Sequence, residues 1–193
     1  MLRTRPVVQG LAVSVIIADN SPRRNQELEI TVAKALATVV HTHLFPNSKI
    51  SLALHVLSSD GSLLAALINA ATLALIDAGI PISDYISACT AGSTSSHAAS
   101  DDNADPLLDL NTQEEQELPY LTVATLGDSD RITVINCESR VQVSRLEGML
   151  AVGVDGCRQV KKLLDDVIKE NGLKMIREGA VDKSDTMMMD LDG

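Results

Sequence analysis

Residues 105–119, DPLLDLNTQEEQELP, place five carboxylates around one short apolar run. Two of the five have a spacing that suits chemistry. Asp109 interrupts leucines that read as a β-strand, and Glu115 follows six residues later. Such a pair can act as general acid and base, or hold a divalent metal against a phosphate. Either use requires cations or hydrogen-bond donors opposite to receive an anion. The same residues also suit a plainer role, in which Asp109 caps a turn at the end of a strand and the rest form a solvated acidic loop.

Donors are few in the sequence around this pair. Ser62 follows the turn SSDG and opens a long apolar run, so its hydroxyl and the amides of a helix start offer a weak anion site. His41 and His43 sit two apart at a helix end, while His55 and His97 are distant. There is no HxxxH spacing and no cysteine partner, so no metal site is expected; the first two suit the negative end of a helix dipole instead. Cys89, Cys137 and Cys157 are odd in number and lack CxxC spacing. They read as small buried hydrophobes in a reducing compartment.

The elements that must position these groups follow from hydrophobic periodicity. Leu11 to Asp19 is rich in β-branched residues and reads as a strand closed by DNSP. From Gln26 to His43, Leu28, Val32, Leu36, Val39 and Val40 recur on one helix face. KISLALHVL alternates, with Ile50, Leu52, Leu54 and Val56 on the buried side. A second helix runs from Leu63 to Ala78, apolar on most sides, with Gly79 as its stop. DYISACT is a third strand, followed by a flexible loop over residues 91–105. After LLDLN and its acidic loop come the strands YLTVATL and RITVINCES, joined by GDSD. A last helix begins at a capping box, Ser144 with Glu147, and ends at Asn171–Gly172. The order predicts an α/β (α+β) sandwich in which helices cover a mixed sheet.

Composition bounds the function. The 193 residues are 45% hydrophobic, enough for one domain with a real core. Two Tyr, one Phe and no Trp leave little material for stacking on exposed bases. The net charge is -10, and from Ile50 through Asp130, 81 positions, there is no Lys or Arg and there are twelve Asp and Glu. A grip on nucleic acid through this middle segment is therefore excluded, since counterion release needs cations. No secretory signal opens the chain, and the most apolar window, Leu63 to Ile76, falls short of the roughly 20 residues of a membrane helix. A soluble intracellular protein without membrane contact is expected.

Several stretches together resemble the ribonuclease PH family, in its exosome branch: RRNQELE opening a helix, HVLSSDGSLLAALINAATLALIDAGIP, ACTAGS, and LLDLNTQEE before a hairpin. The segment NAATLALIDAGIP is the most specific. The resemblance runs from about Arg23 to Gly172 and implies a ribonuclease PH-like, ribosomal S5 domain 2-like fold. It further implies a divergent segment at 1–20 and an incomplete family domain at 21–178 with the first strands missing. Residues 179–193, acidic and without any period, read as a disordered tail.

In catalytic members of that family, inorganic phosphate attacks the 3′-terminal phosphodiester of RNA and releases a nucleoside diphosphate. The resemblance puts Asp109 on the first catalytic carboxylate and Glu115 where active members have an aspartate. Arg23 and Arg24 fall near a helix-start arginine that contacts phosphate or RNA, and ordinary solvated charge suits them equally. Leu64 stands where active members carry the arginine that binds phosphate. On this basis the pair is half of a site whose anion-binding half has gone. Returning an arginine at 64 would then restore phosphate affinity by about one to two decades. The resemblance thus implies a non-catalytic ring subunit of the RNA exosome, with an active phosphate-dependent 3′-to-5′ exoribonuclease as the alternative. Its implied partners are other ribonuclease PH-like subunits in a hetero-hexameric ring, S1/KH-type cap subunits, and RNA threaded through the ring. Implied roles are RNA degradation and rRNA processing in nucleus, nucleolus and cytoplasm. No cofactor is implied beyond inorganic phosphate in an active member, and no metal.

Overall fold

The computed structural model describes residues 12–18, 22–44, 48–94, 105–129, 131–139, 141 and 143–189. The β-branched run forms β1 (Ala12–Ala18), which pairs in parallel with β2 (Lys49–His55), Val15 opposite Leu52 and Ile17 opposite Leu54. Parallel neighbours need a crossover, and α1 (Pro22–Ala37) lies in it. Its Leu28, Val32 and Leu36 are buried, as their spacing requires. The helix stops at Ala37, short of the expected His43, so Val39 and Val40 are buried from beyond its end, Val40 in a bridge to Ile82. A short 3-10 turn at Thr42–Leu44 leads toward β2. Next, α2 (Leu63–Asp77) buries Leu64, Ala65, Leu67, Ile68, Ala71, Thr72 and Leu75, a face wide enough to meet neighbours on several sides. Gly79, at φ +66°, ends the run just past it.

The second sheet is antiparallel, with β4 (Pro106–Leu108), β3 (Ile86–Ser93), β5 (Tyr120–Leu126) and β6 (Ile132–Asn136) side by side in that order. The strands are thus shared between a parallel pair and an antiparallel four, where the sequence suggested one mixed sheet. Both sheets meet in one core, in which Val15, Ile17 and Leu54 join the buried faces of α1 and α2 and Ile86, Ala88 and Ala124. On the edge of β3, β4 reaches only Ala91 to Ser93. Asn69 of α2 takes the vacant place beyond, donating to the Ala88 carbonyl at 2.9 Å and accepting from the Ala88 amide at 2.8 Å. A buried strand edge needs such a substitute, because unpaired backbone groups are costly.

The opposite face of the second sheet is covered by α4 (Val143–Met189). Gly156 lets the helix come close, since a Cβ there would lie 2.8 Å from the Cys89 sulfur. Cys157 then donates to the Val123 carbonyl at 3.3 Å, and Met149, Cys89, Leu121 and Val123 complete a second apolar cluster.

Four more local expectations change. The acidic loop after LLDLN is α3 (Thr112–Glu117), started by a capping box in which Asn111 accepts from the Glu114 amide and Glu114 accepts from the Asn111 amide. α4 is already helical at Val143, so Ser144 lies in its first turn rather than at its cap. It also continues through Asn171 and Gly172 to Met189, taking in most of the stretch expected to be a disordered tail. One glycine costs a helix only about 1 kcal/mol, no proline follows, and Lys174 pairs with Glu170 across the turn at 2.9 Å. Finally, Cys137 is exposed, unlike Cys89 and Cys157. Of the expected flexible loop, residues 91–93 belong to β3, and 95–104, with His97, lie outside the described residues.

Candidate functional site

Two turns dock against each other where α2 begins and β4 ends. In the first, Gly61 (φ +88°) and Ser62 (φ +50°) both adopt left-handed backbone. A Cβ at Gly61 would collide with the Leu110 carbonyl and the backbone of Asn111, so only glycine permits this approach. In the second, Asp109 is itself left-handed at φ +57°, a conformation that aspartate tolerates better than most residues. Its amide donates to the Thr90 carbonyl at 2.8 Å. Leu110 is buried, and the Ser62 hydroxyl donates to its carbonyl at 3.2 Å. Asp60 reaches the Thr112 amide at 3.4 Å.

The two turns bring Ser62 and Glu115 together. The Ser62 amide donates to Glu115 Oε1 at 2.7 Å, a contact between groups 53 residues apart. Ser62 is the N-cap of α2, yet its side chain makes no cap bond. The carboxylate of α3 therefore sits where a helix start attracts an anion. Asp109, by contrast, is exposed at the end of β4. Leu64 is only 5% exposed and packs in the main core, pointing away from the solvent a phosphate would come from.

The arginines behave differently from each other. Arg23 lies in α1, but its side chain is outside the described residues. Arg24 makes a long ion pair, 3.8 Å, with Glu138 just beyond β6. Glu138 also accepts from the Tyr120 hydroxyl at 3.2 Å and from the side-chain Nδ2 of Asn136 at 3.1 Å. Burial, then the Glu138 and Glu115 charges, push the Tyr120 phenol up to about 12, with Arg24 opposing. These four groups thus share one neighbourhood, and Arg24 within it is already engaged by a carboxylate. Beneath Asp109, burial pushes the Cys89 thiol up to about 11, with the thiol of Cys157 and Asp109 adding to the rise. A thiol held protonated is no nucleophile. Among the described residues no group of His, Cys, Asp and Glu is arranged to hold a metal ion.

Sequence spacing had paired Asp109 with Glu115 and singled out Ser62. It missed Tyr120, Asn136 and Glu138, which meet where the start of β5 lies beside the end of β6 and carry no local signal. Asn111 did carry one: its spacing to Glu114 is that of a capping box.

The sequence model of the 3′ exoribonuclease family, domain 1, matches residues 10–81, a span that includes β1, α1, β2 and α2. Over 151 residues the chain is 36% identical to the exosome complex component ski6 of Schizosaccharomyces pombe, covering 78% of this chain and 59% of that protein. The chain belongs to the ribonuclease PH family. A second relative, the exosome complex component RRP41 of Homo sapiens, is 33% identical over 160 residues, 82% of this chain and 60% of that one. The chain spans about three fifths of the length of these curated relatives. The crystal structure of rice (Oryza sativa) Rrp46 superposes with a TM-score of 0.74 at 22% identity, over 86% of this chain and 78% of that one. The likeness shows that the two sheets and their helices form a ribonuclease PH-like fold. The family match begins at residue 10, ahead of Arg23, where the motif resemblance begins.

Proposed function

We propose that this chain is a non-catalytic structural subunit of the RNA exosome, supporting 3′-to-5′ RNA degradation and rRNA processing by a separate nuclease. Similarity to exosome components supports membership of such an assembly. The observation that carries the non-catalytic assignment is the bond from the Ser62 amide to Glu115. That carboxylate already takes the donor an incoming phosphate would need, and it repels a second anion. Two unit charges 4 Å apart repel by about 4 kcal/mol near a protein surface. Leu64, buried in the core, offers no compensating charge.

In this proposal the chain pairs with other ribonuclease PH-like subunits in a six-membered ring. S1/KH-type subunits cap the ring, RNA threads through it, and the assembly works in nucleus, nucleolus and cytoplasm. The test is to co-express the chain with its ring partners and incubate the purified ring with RNA and inorganic phosphate. No phosphate-dependent shortening is expected. Release of nucleoside diphosphates that disappears in Asp109→Ala would instead establish an active phosphorolytic exoribonuclease.

A further inference from the structure

A groove of about 520 Å³ lies between the C-terminal half of α2 and the later turns of α4, where helices from opposite faces of the second sheet converge. Its walls are mostly apolar, with Leu73, Ala74 and Ile76 on one side and Val167, Ile168 and Met175 on the other, where Asn171 adds one polar side chain. The apolar surface does not stop at the groove. Leu163, Val167, Leu173, Met175 and Ile176 of α4 are all more than half exposed, Ile176 at 70%. An amphipathic helix ordinarily turns such residues toward a core. Here a run of them faces outward beside an open cleft.

Charge at the groove narrows what can fill it. Asp77 lines one end and closes α2, whose last turn holds no basic residue. A carboxylate there adds to the negative end of the helix dipole, an arrangement that an incoming cation stabilises. The walls contain no Lys or Arg, which removes nucleic acid as the occupant. They are helices on both sides with no strand edge, so strand addition has no template, whereas a helix laid into an apolar groove does.

We infer that this groove docks an amphipathic helix of a partner polypeptide, with its apolar stripe between α2 and α4 and a Lys or Arg against Asp77. This goes beyond membership of an exosome by assigning one surface and the chemistry of what covers it. It stands or falls independently of whether the ring degrades RNA.

The test uses the full chain and two fluorescent helical peptides of about 18 residues, a length at which helices become stable. Both carry leucines at i, i+3, i+4 and i+7; one is flanked by lysines, the other by glutamates. Fluorescence anisotropy is expected to show the lysine peptide binding at least about tenfold more tightly. Asp77→Lys should reverse that preference, and Val167→Glu should abolish binding of both. Asp77 and Val167 are exposed, so neither change threatens the core, and unchanged melting curves check this. Equal binding of the two peptides, or binding that survives Val167→Glu, would overturn the inference. So would a wild-type chain that sediments as a dimer dispersed by Val167→Glu, since the groove would then belong to a second copy.

Discussion

Replacing Leu64 with arginine separates two accounts of a lost phosphate site. If the arginine of active relatives is all that is missing, restoring it should return phosphate affinity. The structure leads to a different outcome, because Leu64 is 5% exposed and belongs to the core shared by both sheets. Burial of a leucine contributes roughly 1.5–3 kcal/mol, and an uncompensated buried charge costs about 3–5 kcal/mol. These overlap, since the long side chain partly escapes to solvent, and a net loss of about 3–5 kcal/mol is expected. At roughly 2–4 °C per kcal/mol for a chain of this size, the thermal midpoint should fall by about 6–20 °C. Thermal unfolding followed by circular dichroism measures this directly. Phosphate titration of the same variant by calorimetry should give no heat of binding. A variant of wild-type stability that binds phosphate would refute the reasoning: position 64 would then face the site and not the core.

Three further outcomes follow from the geometry. Asn69→Ala should cost about 2–4 kcal/mol in urea denaturation, because both backbone groups of Ala88 lose their partner; a loss under about 0.5 kcal/mol would mean that water replaces the amide. Gly61→Ala should destabilise by about 2–3 kcal/mol through a collision with Leu110, against roughly 1 for Gly79→Ala, where φ is also positive but nothing lies within 4 Å. Equal costs at the two sites would show that the docked turns can relax. The last concerns pH. Lys161 of α4 pairs with Asp128 of the β5–β6 turn at 2.8 Å. This hydrogen bond holds the Asp128 carboxyl below its ordinary 3.8 and lifts Lys161 above 10.5. A depressed carboxyl stabilises above its unfolded value and loses that as pH falls through its folded one; a raised lysine stabilises below its unfolded value and loses that as pH rises through its folded one. The stability gap between wild type and Asp128→Asn should therefore be widest between about pH 4 and 10 and narrow on either side. A gap that does not change with pH would rule out the ion pair as its source.

What the sequence determined by itself was whatever depends on neighbours along the chain. β1, the buried face of α1, the wide apolar face of α2 and its stop at Gly79 follow from periodicity within one element. The family follows from contiguous motifs such as NAATLALIDAGIP. The box formed by Asn111 and Glu114 was equally local, but reading the stretch by its charge concealed the helix it starts. At Gly172, local propensity was nearly balanced, and a helix already propagating outweighed one unfavourable residue. Only the tertiary structure decided the site. Whether Leu64 faces core or solvent depends on how α2 is rotated between two sheets. The contact of Glu115 with Ser62 spans 53 residues and exists because two left-handed turns dock through a glycine. Arg24, Tyr120 and Glu138 meet from a helix, a strand and the end of another strand. Propensity acts over a few residues, whereas the field at an anion site is set by whichever charges packing brings within several ångströms, wherever they stand in the chain.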